Sequence, residues 1–298
     1  MAPPGANRRG IIALFTATFF FTVNDAIMKI VIRTLPFGEG VFVRGALTAI
    51  FLMIALIAMG QFRQLPRLVN PRIAGRSFFD ACATVFFVTA LVRMHLADLI
   101  SIILASPLIL TAMSVIFLKE KVGWRRWTAI AVGFAGTLFI VKPVPGTLDI
   151  WALLGLASAC ASAARDLLTQ RIDPKIPTLA VGVAAGTAIM IAGAFVGLGE
   201  QWRMTTPYET ALLVTSAAFY SVGCYLLVVS FRGVDLSIVS PFRYGLLFWA
   251  LIIGYILLGE VPDIWSLVGA IIIVGSGIYT LHRETVRHRN LTGTTPPQ

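Results

Sequence analysis

The sequence predicts an all-α membrane protein whose ten transmembrane helices form two five-helix repeats of opposite orientation. Three observations carry that prediction. Only 13% of the 298 residues are charged and 57% are hydrophobic, with a mean hydropathy of +0.86. A soluble domain carries about 25% charged residues, so water cannot be the solvent over most of this surface. Apolar runs near the roughly 20 residues that a bilayer crossing needs recur along the whole chain, and recognisable segments return after 140 or 141 residues.

The first run, 11–32, follows MAPPGANRRG and imitates a secretory signal. It lacks a small-residue cleavage site and contains Asp25 and Lys29, so a retained first helix is expected. Further runs fall at 38–59, 74–92, 97–118, 125–142, 149–170, 178–198, 208–230, 234–258 and 262–281. In lipid only helices and closed barrels satisfy every backbone group, and runs this long and continuous are helices. The short connections leave no room for a soluble domain. The expected organisation is a cytoplasmic tail at 1–10, a first unit at 11–142, a second at 149–281, and a cytoplasmic tail at 282–298. Cys82, Cys160 and Cys224 lie singly in apolar runs, without metal or redox spacing, and read as small packing residues.

Charge placement tests the topology. With the N-terminus in the cytoplasm and ten helices alternating, sixteen of the 24 Lys and Arg residues fall in cytoplasmic segments, among them Arg8, Arg9, Arg63, Arg67, Lys119 and Lys121. Four fall on the opposite side (Arg33, Arg93, Lys142, Arg203), and four lie within spans (Lys29, Arg44, Arg165, Arg243). This is the positive-inside bias of an N-in, C-in protein. The net charge of +10 therefore marks one membrane face and not a nucleic-acid footprint.

The repeat rests on three anchors. NDAIMKIVIRTLP around Asp25 returns as RDLLTQRIDPKIP around Asp166, an offset of 141, and Pro36 to Pro177 is again 141. FLKEKVGWRRWTAIAVGFAG returns as LLGEVPDIWSLVGAIIIVGSG, with Glu120 and Glu260 separated by 140. A unit of five helices is odd, so the second copy enters the bilayer from the other side. Inverted repeats of this kind are a hallmark of secondary transporters.

The pattern ND-xxx-K in the first span, the Arg of FVRGALTAI in the second, KEKVGWRRW before a Gly-rich span, and SPFRY…LLGE near the end resemble EamA-type members of the drug/metabolite transporter superfamily. The resemblance covers essentially the whole chain as two tandem five-helix units. It implies a ten-helix basket around a central cavity, alternating access, and a place in a bacterial inner membrane. Members of that superfamily include amino-acid exporters and importers of S-adenosylmethionine or riboflavin.

A charge near the bilayer centre costs about 2.5–3.5 kcal/mol on insertion scales, so each one needs a reason. Asp25 and Lys29 are one helical turn apart and share a face. They read either as a self-neutralising pair or as a gate, a proton-coupling acid or a substrate contact. Arg44, early in the second span, reads as a snorkelling side chain or as a bidentate carboxylate ligand. Arg165 and Asp166 replace Asn24 and Asp25 in the second half. Adjacent residues diverge by about 100° on a helix, so at least one should reach another helix, with Asp80 the suggested partner for Arg165. Pro241 and Pro107 interrupt the ninth and fourth spans, at positions that do not align at the 140 offset. Arg243, Tyr244 and Trp249 make the ninth span the richest, with Tyr244 and Phe248 expected on one face. Phe86 and Tyr220 add aromatic surface suited to a mostly apolar cavity with few polar contacts.

No Gly-rich phosphate loop or HExxH occurs, and His95, His282 and His288 fall at span ends or in the tail. An ATP motor, a metal centre and an enzymatic Ser/His site are therefore not expected, nor is any cofactor. The expected partners are a small-molecule substrate and the lipid bilayer, with no nucleic acid; a homodimer stays open. Amino-acid export is the favoured reading, because Arg, Asp/Lys and aromatics together suit a zwitterion. Import of riboflavin or S-adenosylmethionine is the alternative that stacking aromatics would serve equally well. An intramembrane enzyme and a non-transporting receptor draw less support.

Overall fold

The structure, a computed structural model, describes residues 6–62, 70–118, 124–141, 149–169, 171–173, 175–230 and 239–292. Among the described residues every regular element is a helix. The order is α1 (Ala6–Val31), α2 (Phe37–Ala58), α3 (Pro71–Leu91), α4 (Leu96–Ile103), α5 (Ser106–Leu118), α6 (Trp124–Val141), α7 (Ile150–Thr169), α8 (Thr178–Val196), α9 (Pro207–Ser230), a 3-10 turn at Ser240–Tyr244, α10 (Gly245–Leu258) and α11 (Ile264–Thr292). Among the described residues seven stretches are long and apolar enough to cross a membrane, α4 and α5 counting as one (Leu96–Met113), and three shorter apolar helices lie at Trp127–Ile140, Phe242–Leu258 and Ile264–Tyr279.

These bounds follow the apolar runs to within a few residues, except where proline or the C-terminus intervenes. The fourth run breaks at Leu104–Ala105, and Pro107 becomes the second residue of α5. There its missing N–H removes no helical hydrogen bond. The ninth run is 3-10 at Ser240–Tyr244, with Pro241 in its first turn, before α10 begins. The last helix continues to Thr292 where the apolar run ended at 281. Glu120 lies outside the described residues.

Helices of the first half pair with helices of the second. α2 runs antiparallel to α8 along a seam of glycines. A Cβ at Gly38 would lie 2.4 Å from the Gly197 Cα, one at Gly45 would lie 2.6 Å from the Met190 N, and one at Gly193 would lie 2.4 Å from the Phe42 N. Backbones in direct contact replace the hydrophobic drive that lipid cannot supply. α1 runs antiparallel to α9, with Phe20 on Phe219 and Phe21 on Tyr220. α3 pairs in the same way with α7, where the Ser158 hydroxyl donates to the Ala83 carbonyl at 2.8 Å. α6 pairs with α11, where Phe139 stacks on Trp265.

The short α4 lies at the centre, with Leu96, Leu99 and Ile102 fully buried. Large apolar side chains stay bare on the outer faces, Phe195 at 68% and Ile271 at 71% exposure. Such surfaces fit lipid rather than water. The chain is a multi-pass membrane protein.

Substituting Gly193→Val would drive the new side chain into the backbone of α2. The expected loss is about 1–3 kcal/mol, read as a lower unfolding temperature in detergent, while Gly199→Ala, which meets nothing within 4 Å, serves as the neutral control.

Candidate functional site

Call the end of the bundle where α1 begins proximal and the end where it stops distal. The polar side chains inside the bundle form a seam that runs between these ends.

At the distal end, Lys29 does not pair with Asp25. Its ammonium contacts the Glu260 carboxylate at 2.5 Å, both side chains being about nine-tenths buried or more, and it also donates to the Met94 carbonyl. Gly259, at φ +67°, ends α10 in the left-handed conformation that glycine adopts without strain, and Glu260 follows it. The second Glu260 oxygen accepts from the Leu96 N–H at 2.8 Å. One carboxylate thus caps the N-terminus of α4, where the helix dipole favours negative charge, and neutralises α1. Shared-face spacing made an Asp25–Lys29 pair available, but tertiary acceptors outcompeted it.

A second distal cluster escaped the sequence reading. Glu200 accepts from the Gly38 N–H at 2.8 Å and so caps α2. The Arg203 guanidinium forks onto Glu209 at 2.5 and 3.0 Å and donates to the Thr34 carbonyl, while its backbone N–H donates to Glu39. The Glu209 carboxylate holds the Arg203 guanidinium above its ordinary range. Glu39, the acid nearest Arg44 in sequence, is therefore engaged elsewhere.

In the middle, Asn24 is a hub. Its amide nitrogen donates to Asp25 at 2.8 Å, and its oxygen accepts from Ser216 at 2.7 Å and from Arg44 at 3.4 Å. Arg44 is 4% exposed, so it does not snorkel. One face of its guanidinium is covered by the Tyr220 ring, 5.3 Å from the centroid. Its Nε is buried and meets no acceptor among the described residues.

Toward the proximal end, Asp80 and Arg165 meet at 2.9 Å, as suggested from the sequence. Arg76 completes Asp80 at 3.0 Å. Arg165 also contacts its own neighbour Asp166 at 2.9 Å, a pairing that the 100° divergence argued against. A long guanidinium bends back far enough to span that divergence. Arg243 approaches Asp166 at 3.8 Å.

Aromatic residues divide between seam and scaffold. The Trp249 indole donates to the Phe15 carbonyl at 3.1 Å and packs on Phe15 and Phe19. Tyr244 closes the 3-10 turn that precedes α10. A Cβ at Gly277 of α11 would strike its hydroxyl, which is buried without a partner. Phe248 is half exposed and packs on Phe15. Phe86 is partly buried on α3 and Pro107 opens α5. Tyr225 lines a proximal cleft of about 270 Å³ with Arg9, Met59 and Gln61, away from the charged seam. Asn24 and Glu260 were visible in the sequence only as repeat anchors; a polar residue beside a buried acid and an acid just after a helix-ending glycine are the signals that mark them.

Residues 8–142 match the family model described as EamA-like transporter family. An S-adenosylmethionine uptake transporter of Rickettsia bellii is 28% identical over 181 residues, 60% of this chain and 61% of that protein. The match thus spans about three-fifths of that relative's length. A pseudopaline exporter of Pseudomonas aeruginosa is 25% identical over 276 residues, 90% of this chain and 94% of that protein. A riboflavin transporter of Vibrio cholerae is 27% identical over 191 residues, 64% of each chain. A solved crystal structure superposes with a TM-score of 0.64 over 95% of this chain and 98% of the other, at 15% identity. That likeness speaks for the fold.

Removing one partner of a buried pair strands the other charge, at a cost of about 3–5 kcal/mol. Glu260→Gln and Lys29→Met should each lower the unfolding temperature, and the double variant should lie above the less stable single. Strictly additive losses would show that the two groups do not depend on each other.

Proposed function

We propose that this chain, which carries an EamA-type transporter domain in its first half, is a secondary transporter of small organic solutes that works by alternating access. The observation that carries the reading is the unequal state of the two ends. The distal end is sealed by the buried Lys29–Glu260 pair, which joins the two halves. At the proximal end Arg165, Asp166 and Arg243 keep 22%, 26% and 41% of their side-chain surface accessible. A seam closed at one end and wet at the other is what one state of an alternating-access cycle requires.

Ten spans in two inverted five-helix repeats are the architecture proposed with it. Exchanging each span for its counterpart in the other half turns the α1–α9 pair into α7–α3, and leaves α2–α8 and α6–α11 unchanged. The observed pairing obeys that exchange, which supports the repeat. A Ser-Pro step breaks a span in each half, at Ser106–Pro107 and Ser240–Pro241. Interrupted helices in both halves point to a transporter site. The basic residues favour a cytoplasmic proximal end in a bacterial inner membrane, with both termini inside. The work is done by a solute gradient or by exchange, without enzymatic chemistry.

The narrower proposal is export of amino-acid-like solutes, supported by an Arg and an Asp in mid-seam. Uptake of larger solutes is the second reading, favoured by the relatives whose names are uptake and riboflavin transporters. Purified protein in liposomes, loaded with unlabelled solute and offered labelled amino acids, S-adenosylmethionine or riboflavin, should show counterflow for one class. Breaking the distal seal with Lys29→Met should cut the exchange rate at least tenfold. No counterflow for any solute in the panel would sink the transport reading.

A further inference from the structure

Asp80, Arg165 and Lys29 each touch a counter-charge inside the bundle. Among the described residues, Arg44 and Asp25 do not. Arg44 offers five N–H donors and, among the described residues, uses one of them, on Asn24 at 3.4 Å. Its Nε is orphaned at 4% residue exposure. Asp25 accepts one hydrogen bond, from the Asn24 amide at 2.8 Å. A guanidinium withdrawn from water is normally paired with an anion or fully hydrogen-bonded. Asp25 and Asp80 lie close enough to act on Arg44 through space, but among the described residues neither bonds to it, and its Nε has no acceptor.

Neither group is free to collapse onto the other. The Asn24 carboxamide stands between them, its oxygen toward Arg44 and its nitrogen toward Asp25. The Ser216 hydroxyl donates to the same oxygen at 2.7 Å, which fixes the amide in that orientation. Tyr220 covers one guanidinium face and leaves the edge for hydrogen bonding. The result is one cation and one anion, opposite in sign and separated by the width of an amide.

We infer that Arg44 and Asp25, spaced by Asn24, clamp the α-amino-acid head group of the transported solute, Arg44 taking its carboxylate and Asp25 its ammonium. The inference rests on the transport reading and assigns the head group within it. An Arg edge receives a carboxylate through two parallel N–H···O bonds. An α-amino acid carries its ammonium on the neighbouring carbon, within reach of an acid one amide away. A simple anion would satisfy Arg44 and confront Asp25; a simple cation would do the reverse. The zwitterion is neutral overall, so it gives the orphaned Arg44 Nε an acceptor and Asp25 a counter-charge without adding net charge to a low-dielectric site. Rejection of analogues follows, since a site built for a polar group is left unpaired by a ligand that lacks it. Whatever side chain the solute carries extends beyond the clamp, which places no demand on it.

The test is binding to the purified full-length protein in nanodiscs by titration calorimetry. The probes are L-methionine, L-methioninamide without the carboxylate and 4-methylthiobutanoate without the ammonium; S-adenosyl-L-methionine and its decarboxylated form make a second pair. The wild type should bind at least one amino-acid member tenfold or more tighter than its partners. Arg44→Gln should erase the preference for carboxylate over carboxamide and keep the preference for ammonium. Asp25→Asn should do the opposite, and Arg44→Lys should restore part of the carboxylate preference. A wild type that binds acid and amide alike, or binds none of the probes, overturns the clamp without any variant being needed. So do Arg44→Gln and Asp25→Asn variants that keep both preferences. Counterflow in liposomes separates this from the parent reading. Transport of acid and amide at one rate keeps the transporter and loses the clamp, whereas selective binding without movement keeps the clamp and loses the transporter.

Discussion

An apolar solvent leaves a charge only two resting places, a counter-charge or an acceptor-rich pocket, and that constraint organises this bundle. With 13% of residues charged, few counter-charges exist, and two of the buried pairs join opposite halves. Lys29 on α1 finds Glu260 beyond α10, and Asp80 on α3 finds Arg165 on α7. The glycine seam between α2 and α8 adds a contact with no charge at all, backbone against backbone. Buried apolar side chains from both halves pack into one cluster, and these close, specific contacts add to it what lipid, as apolar a surrounding as another helix, cannot replace.

Helix ends carry as much of the argument as helix faces. α2 and α4 have no side-chain cap of their own. Each is capped instead by an acid from the second half, Glu200 on the Gly38 N–H and Glu260 on the Leu96 N–H. Orphan N–H groups at a helix N-terminus need an acceptor, and here supplying one also ties the distal ends of the halves together. If the halves rock against each other, those two carboxylates and the Lys29 ammonium are the groups that must find new partners. In the proximal cluster Asp80 is buried, but Arg165, Asp166 and Arg243 keep part of their surface accessible, so their lost contacts can be replaced more cheaply.

How far the sequence was legible depended on whether an answer was local. Helix bounds follow apolar runs because backbone satisfaction in lipid is a local demand, and Pro107 and Pro241 announced their breaks for the same reason. The Asp80–Arg165 contact could be reasoned out because Arg165 had a charge to place and Asp80 was an acid buried in another span. The Asp25–Lys29 pair was the wrong inference from correct spacing. A shared helical face makes a pair available, but a lysine stem reaches several ångströms past its own turn, and a capped helix end offered a better site.

Composition, run length and the distribution of Lys and Arg determined by themselves that this is a helical membrane protein with charges sparingly placed inside it. Those properties are sums over residues and survive any arrangement of the helices. Tertiary structure alone decided that the Asn24 carboxamide bonds to both Arg44 and Asp25 and that Lys29 belongs to Glu260. Each of these is a choice among several chemically adequate partners, and only the packing of distant helices brings one of them within hydrogen-bond range.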